Sequence, residues 1–346
     1  MRANDPLLRT SLQRWPGRAY LQSRPDGVWL TLVRRAAPRP RERWWLHALL
    51  ALATLLTTTL AGAVLAGSWA PAFRDVSMLG VELPLPVGSA AGLLPGLWFS
   101  LPLVAILLAH ELGHYLLARY HGLDVSPPWL IPAPPVVNLI GTFGAFIRLR
   151  SPLVNRAVLL DVGAAGPAAS FVLSIPACAA GLLLSTHRAA PPGYGGPRLG
   201  VVLADDSFFA LGSSPIFGLL AGVLAPPLPG AVLALHPLAV AGWFGFFFTM
   251  LNLFPASQLD GGHVAYALSG PRGHRAASLL CLAALLALGW VWPGWWVWGA
   301  LVLILGRGRL RHPPVAEPGF RLTGWRRVLA WACLLGLGLS FVPVPA

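Results

Sequence analysis

Lysine is absent from this sequence, and charged residues of either sign are few. All 25 basic residues are arginine, 12 residues are acidic, and charged side chains occupy 11% of the 346 positions. Soluble domains carry roughly 25% charged residues. Apolar residues account for 56% of the chain, and its mean hydropathy is +0.66. These values exclude a soluble globule, a disordered chain and a fibrous repeat, and they predict a polytopic membrane protein.

Cysteine is also scarce. Cys178, Cys281 and Cys333 lie singly inside apolar runs, which excludes a disulfide framework and a Cys-x-x-Cys pair. We therefore interpret them as small buried hydrophobic residues.

The net charge of +13 does not indicate a nucleic-acid partner, because the arginines lie in blocks beside apolar segments. Ten arginines precede Trp44 and six fall between Arg307 and Arg327. Such blocks are typical of cytoplasmic flanks. With the N-terminus in the cytoplasm, only three of the loop arginines lie outside: Arg74, Arg188 and Arg198.

Seven apolar stretches approach the roughly 20 residues that a transmembrane helix needs. They cover residues 44–69, 91–119, 157–185, 231–254, 276–292, 295–306 and 325–342. Two of them meet at Pro293-Gly294, which fits a hairpin of two short spans or one kinked helix. The hairpin is favoured because it keeps the last arginine block inside. The predicted fold class is an all-α polytopic membrane protein with about six to seven transmembrane helices.

The second apolar stretch ends in an unusual group of ionisable residues, His110-Glu111-Leu112-Gly113-His114. Ionisable side chains inside a membrane are costly and point to function. His110 and His114 are one helical turn apart, so both imidazoles face the same way. This spacing suits two ligands of one Zn²⁺, with Glu111 beside them as a general base.

A third ligand is expected from another helix, because catalytic zinc takes three protein ligands and a water. The best candidate is Asp260, in the segment that runs from Asn252 through Pro255 to Asp260-Gly261-Gly262. Taken alone, Asp-Gly-Gly indicates a turn. The predicted topology, however, places the histidine pair and Asp260 at the cytoplasmic ends of their spans, at the same depth.

Together, His110–His114 and the Asn252–Gly262 segment resemble the motifs of the site-2 protease family of intramembrane zinc metalloproteases. Gly141-Thr142-Phe143-Gly144 is similar to a membrane-dipping β-hairpin of that family, between the second and third spans. Gly166-Pro167-x-x-Ser170 resembles its Gly-Pro motif, although many members carry asparagine at the position of Ser170. The resemblance covers about residues 91–310.

The resemblance implies that His110, His114 and Asp260 bind one Zn²⁺ and that Glu111 is the base. It also implies that Asn252 contacts the substrate backbone or the oxyanion; closure of a helix before Pro255 is the alternative. The hairpin residues Gly141, Thr142, Phe143 and Gly144 would present a strand edge to an unwound substrate.

The charge and hydropathy patterns, together with the extent of the resemblance, divide the chain into four expected segments. Residues 1–43 form an arginine-rich cytoplasmic tail, with a small β-hairpin expected over 17–35, and residues 44–90 form the first transmembrane helix and an outer loop. The metalloprotease core covers 91–310, and 311–346 hold a linker and the last helix. No loop is long enough for a PDZ domain, so the chain looks closest to the plastid and bacterial branch similar to the yellow-green gravitropism proteases.

Other polar residues give weaker signals. Asp161 is expected to pair with Arg156 or to face the cavity, and His263 to contact Asp260. His121 and His274 are interpreted as loop residues. The tryptophans from Trp290 to Trp298 are interpreted as an interfacial belt.

The sequence thus predicts an intramembrane zinc protease that cuts single-span membrane proteins, with the lipid bilayer as its other partner. We expect a multi-pass protein of a bacterial inner membrane, with a cytoplasmic N-terminus and an active site near that face. Two alternatives remain: an inactive, chaperone-like homologue, and a metal or ion transporter. A transporter predicts ionisable groups near mid-membrane on several helices, and an inactive homologue predicts damaged motifs.

Overall fold

The computed structural model describes residues 12–13, 15, 17–24, 27–34, 42–68, 72–78, 81–87, 90–135, 137–190, 196, 199–203, 207–308, 310–313, 315–316, 322 and 324–345. This part of the chain is mostly helical. Its helices are α1 (Trp44–Leu65), α2 (Leu97–Tyr120), α3 (Arg156–Leu183), α4 (Pro215–Leu224), α5 (Pro237–Leu253), α6 (Asp260–Leu288), α7 (Gly294–Leu305) and α8 (Trp325–Ser340). Two short turns, Ala90–Leu93 and Leu94–Gly96, lead into α2.

The described residues also form ten short strands. They are β1 (Gly17–Arg24), β2 (Gly27–Arg34), β3 (Ala72–Met78), β4 (Val81–Val87), β5 (Trp129–Pro132), β6 (Thr142–Phe146), β7 (Thr186–Ala189), β8 (Leu199–Val202), β9 (Phe208–Ala210) and β10 (Ala231–Ala234). The pairs β1–β2, β3–β4 and β5–β6 are antiparallel hairpins, and the other strands form one mixed sheet in the order β7-β10-β8-β9. The hairpin expected over 17–35 is confirmed by the pairing of β1 with β2.

Within the described ranges, three helices are long and apolar enough to cross a membrane: 44–65, 91–120 and 156–183. They correspond to the first three predicted spans, whose bounds are confirmed to within a few residues. Their apolar length explains this, since 22 to 30 residues at about 1.5 Å per residue exceed the roughly 30 Å of a bilayer core.

The fourth predicted span, residues 231–254, begins differently in the structure. Residues 231–234 form β10, and α5 begins only at Pro237, where the side chain of His236 accepts a hydrogen bond from the Leu238 amide. Proline is favoured at the first position of a helix, so the chain changes from strand to helix at this point. The all-α expectation was therefore too simple, because the loop before α5 satisfies its backbone in a sheet.

Two other predictions for the C-terminal half, the Asp-Gly-Gly turn and the span over residues 276–292, also differ from the structure. Asp260 is not in a turn: it is the first residue of α6, where an acidic side chain is favourable to the helix dipole. α6 starts well before residue 276 and is kinked at Gly270, whose φ is 73°, next to Pro271. The hairpin at Pro293-Gly294 is confirmed, since α7 begins at Gly294 and packs against α6.

The centre of the fold is α3, which packs along α2 and α5. Small residues let the backbones approach closely: a Cβ added to Gly113 of α2 would lie 2.5 Å from the Ala165 carbonyl oxygen of α3. Likewise, a Cβ on Gly242 of α5 would lie 2.5 Å from the sulfur of Cys178 on α3. Cys178, Cys281 and Cys333 are free and buried, as expected. This close packing fixes the position of α3 relative to the polar turn of α2.

Candidate metal centre

The histidine pair of α2 and the first residue of α6 meet inside the protein. His110 Nε2 and His114 Nε2 each lie 3.2 Å from Asp260 Oδ2, and the two nitrogens are 3.1 Å apart. Both histidines are buried. The structure therefore brings together the three residues predicted to bind a metal, from positions up to 150 residues apart in sequence.

The donor set and its spacing fit Zn²⁺. Two imidazole nitrogens and a carboxylate oxygen are ligands that zinc accepts, with metal–ligand distances of about 2.0 Å. The edges of a tetrahedron built on such bonds are about 3.3 Å long, close to the three observed distances of 3.1–3.2 Å. Three protein ligands also leave the fourth position open, which is the arrangement of catalytic zinc sites.

α3 supplies no ligand but holds both histidines from behind. His114 Nδ1 donates to the Val162 carbonyl over 2.7 Å, and His110 Nδ1 lies 3.1 Å from Ser170 Oγ. Gly166 lies between these two contacts, and a Cβ there would be 2.2 Å from His114 Nε2. Of these residues, sequence reasoning singled out Gly166 and Ser170 by the Gly-Pro motif, but it missed Val162.

Glu111 and Asn252 lie beside the ligands. Glu111 is buried and lines the same cavity as Ile147. Asn252 lies near the end of α5 and borders the same space as Glu111 and His110. The predicted base and the predicted substrate-contacting amide are therefore both next to the metal ligands.

Two cavities meet at this site. One has a volume of about 190 Å³ and is mainly apolar; its lining includes Ile106, Leu107, His110, Glu111, Phe143, Gly144, Ala145, Ser170, Phe248, Leu251, Asn252 and Trp298. The other has a volume of about 280 Å³ and is lined by residues that include all three ligands, Glu111, Ile147, Leu149, Asn252, Gln258 and His263. Glu111, Asn252 and one of the ligands, His110, therefore line both cavities.

The four predicted hairpin residues have two different kinds of environment in the structure. Phe143 and Gly144 line the 190 Å³ cavity. Gly141 and Thr142 do not: the Thr57 hydroxyl of α1 donates to the Gly141 carbonyl over 2.6 Å, and the Thr142 hydroxyl donates to the Ile131 carbonyl over 2.8 Å. Gly141 and Thr142 thus anchor the hairpin, and β6 has a strand partner on one edge only among the described residues.

One of the two expectations for Asp161, an ion pair with Arg156, is wrong. Arg326 of α8 donates two hydrogen bonds to its carboxylate, over 2.9 Å and 2.8 Å, and His121 Nε2 lies 3.0 Å from the same group. Arg156 instead donates to the Tyr266 carbonyl. Asp161 therefore ties the end of α2, α3 and α8 together, one residue before the carbonyl that orients His114.

Three further residues differ from what the sequence led us to expect. His263 does not hydrogen-bond Asp260: its Nδ1 lies 2.8 Å from His312 Nε2, in the linker between α7 and α8. His274 is not in a loop but buried within α6, where its Nε2 donates to the Ser257 carbonyl. Trp298, expected in an interfacial belt, lines the 190 Å³ cavity. Each residue lies in a helix or linker whose course the sequence pattern did not reveal.

Burial lowers the pKa of His312 to about 4, and the neighbouring His274 acts in the same direction, against the effect of the Pro313 carbonyl. The linker histidine is therefore neutral at neutral pH. It accepts the hydrogen bond from His263 while its own Nδ1–H donates to the Pro313 carbonyl.

Two histidines one turn apart, a glutamate between them and an aspartate from a distant helix define a metallopeptidase-type centre within an apolar helical protein. The chain matches Peptidase family M50 over residues 98–289, more than half of its length, and it belongs to that family. The resemblance to site-2 proteases drawn from the motifs is thereby confirmed.

The most similar curated relatives include plant proteins. The chain is 32% identical over 247 residues to "Probable zinc metalloprotease EGY1, chloroplastic" of Arabidopsis thaliana, covering 70% of this chain and 42% of that protein. It is 31% identical over 245 residues to "Probable zinc metalloprotease EGY2, chloroplastic" of Oryza sativa subsp. indica, covering 70% and 42%. The chain thus spans about two fifths of the length of these relatives. No solved structure gives a significant match.

Proposed function

We propose that this protein is a membrane-embedded zinc endopeptidase that hydrolyses peptide bonds within or near transmembrane segments of other membrane proteins. The observation that carries this proposal is the placement of Glu111. It is buried next to two imidazoles and a carboxylate that fit zinc, and it borders two cavities that meet there. Family membership and the relatives' names support the same chemistry.

His110, His114 and Asp260 would hold the metal. Zinc bound there supplies Lewis acidity, which acidifies water and polarises a peptide carbonyl. Glu111 accepts the proton of the attacking water at its carboxylate and delivers it to the leaving amide nitrogen. The Asn252 amide, on the same cavity wall, donates to the oxygen that gains negative charge.

The hairpin offers a place for the substrate backbone. A transmembrane helix hides its carbonyls in its own hydrogen bonds and must unwind before water can attack one of them. Among the described residues β6 pairs with a strand on one edge only, and its residues Phe143 and Gly144 border the cavity next to Glu111. An unwound segment that pairs with this edge keeps its backbone hydrogen-bonded while it enters the site.

The arrangement in the membrane is part of the proposal. α5, α7 and α8 have 17, 12 and 16 residues, shorter than the roughly 20 needed to span a bilayer alone. Together with α1, α2, α3 and the apolar part of α6 they make seven crossings, each short helix being supplemented by neighbouring chain. From the arginine pattern we propose that the N-terminus and the metal centre lie on the cytoplasmic side, and we propose a bacterial inner membrane as the location. The substrates are single-span membrane proteins.

The test is cleavage of a panel of single-span substrates by the purified protein in liposomes. Wild type is expected to cleave, and wild type with a zinc chelator is not. Glu111→Gln is expected to retain metal but lose cleavage, because the amide accepts no proton. Glu42→Gln serves as a matched control, since this carboxylate pairs with Arg150 and is not one of the residues around the metal centre. Cleavage by Glu111→Gln at the wild-type rate would refute the proposal.

A further inference from the structure

A chain of buried hydroxyls leads away from the metal centre across three helices. Ser170 Oγ on α3 lies 3.1 Å from His110 Nδ1 and 2.8 Å from Thr249 Oγ1 on α5. The Thr249 hydroxyl in turn donates to the Gly245 carbonyl over 2.7 Å. Ser170 and Thr249 are both buried, so these groups satisfy one another.

The direction of these hydrogen bonds follows from the far end of the chain. Because Thr249 gives its hydrogen to the Gly245 carbonyl, its oxygen can only accept in the 2.8 Å contact with Ser170. The Ser170 hydroxyl then donates to Thr249, its nearest acceptor at 2.8 Å, or to the Gly166 and Pro167 carbonyls of α3, each at 3.2 Å. In every case its oxygen accepts from His110 Nδ1. The hydrogen of His110 is thereby assigned to Nδ1, and the lone pair remains on Nε2.

Nε2 is the atom of His110 that faces His114 and Asp260. A metal-ligating imidazole must present a lone pair, and the partner of its other nitrogen decides which nitrogen that is. The opposite arrangement, with Ser170 donating to Nδ1, would place a hydrogen on Nε2 and block the metal. Without Thr249, only the longer contacts with the Gly166 and Pro167 carbonyls, each at 3.2 Å, compete with Nδ1 for the hydrogen of Ser170.

We propose that Ser170 and Thr249 act as positioning residues that hold His110 in the tautomer that binds the metal. Ser170 supplies the acceptor for Nδ1–H, and Thr249 is the nearest of the three acceptors that hold the hydrogen of Ser170 away from the ring. His114 needs no such device, because the backbone carbonyl of Val162 accepts from its Nδ1. This inference rests on the proposed role of His110, His114 and Asp260 in binding zinc.

The chain offers a matched pair of substitutions. Thr249→Val keeps the shape of the side chain but removes the hydroxyl, whereas Thr249→Ser keeps the hydroxyl and removes only a methyl group. Ser170→Ala removes the acceptor itself. Ser174→Ala is the control, because this buried hydroxyl lies one turn further along α3 and donates only to the Ser170 carbonyl.

The measurement is metal binding by the full-length protein in detergent. Zinc affinity is determined by competition with a chromophoric chelator, and Co²⁺ substitution reports the ligand geometry through its visible absorption bands. Ser170→Ala is expected to weaken zinc binding by about 10–100-fold, and Thr249→Val by about tenfold, the range seen for such partners of metal ligands. Thr249→Ser and Ser174→Ala are expected to retain the affinity and the cobalt spectrum of wild type.

Two results would overturn this inference. One is Thr249→Val with the affinity and spectrum of wild type, which would show that the hydroxyl has no influence on His110. The other is Thr249→Ser as weak as Thr249→Val, which would assign the effect to packing of the methyl group. Both readouts are independent of proteolysis: an inert protein with the expected metal affinities would refute the proposed protease and leave the positioning role intact.

Discussion

Replacing Gly166 by alanine is expected to destroy the metal centre while leaving the fold in place. A Cβ at this position would lie 2.2 Å from His114 Nε2 and 2.6 Å from the two carbons beside that nitrogen. Non-bonded carbon contacts are optimal near ~3.5 Å, so the imidazole has to retreat by about 1 Å or more. The nearest atoms all belong to His114, so the ring and not the backbone takes up the displacement.

The displacement can be converted into a loss of affinity. Metal–ligand distances tolerate changes of about 0.2 Å, far less than the shift that the new methyl group requires. Loss of a hydrogen bond behind a ligand costs about 10–100-fold in affinity, and displacement of the ligand itself is expected to cost more than about 100-fold. Alanine is meanwhile favoured over glycine in a helix interior by roughly 0.5–1 kcal/mol, so α3 itself is not weakened.

Zinc titration and thermal unfolding of the same preparation test this prediction. Gly166→Ala should bind zinc more than about 100-fold more weakly and should unfold, in the metal-free state, at the temperature of metal-free wild type. Gly338→Ala is the matched control, because a Cβ there meets nothing within 4 Å. Wild-type zinc affinity in Gly166→Ala would mean that His114 is not held against α3 and would refute the described centre.

Two further predictions concern the groups around the centre. Arg326→Ala is expected to lower the free energy of unfolding by about 3 kcal/mol, because the buried carboxylate of Asp161 then keeps only His121 as a partner. Thermal unfolding measures this loss, and an unchanged unfolding midpoint would contradict the prediction. Burial lowers the pKa of His312 to about 4, from about 6.5 when the side chain is exposed. The folded protein therefore keeps its full stability above about pH 6.5 and loses the contribution of neutral His312 as the pH falls towards 4. His312→Gln should therefore unfold with a weaker pH dependence than wild type in that interval, and an identical dependence in both proteins argues against it.

The ligands could be predicted from the sequence because their constraints are local. The spacing of His110 and His114 fixes their common face, and an acidic residue at the same membrane depth is the simplest third ligand. His110 and His114 lie close to Asp260 in the structure, as predicted, although Asp260 begins a helix and is not in a turn. The first three long helices were also predicted from a local constraint, because a long apolar segment in a bilayer satisfies its backbone hydrogen bonds by forming a helix.

The partners of the ligands could not be predicted in the same way. Val162 contributes a backbone carbonyl, which any residue type carries, and Thr249 is one of many small polar residues in apolar helices. Their roles depend on the angle at which α2, α3 and α5 cross, and close packing at glycines sets that angle. The same holds for Asp161, whose partner Arg326 lies 165 residues away.

The Gly-Pro pair of α3 joins these observations into one physical account. Gly166 leaves the volume that the His114 ring occupies. Pro167 has no N–H, so the Gly163 carbonyl lacks its helical donor. A proline also loosens the turn of helix that precedes it. That turn carries the Val162 carbonyl, which is oriented towards His114 Nδ1. The motif therefore provides both the space for the imidazole and the turn of backbone that orients it, which explains why a helix without a metal ligand determines the geometry of the centre.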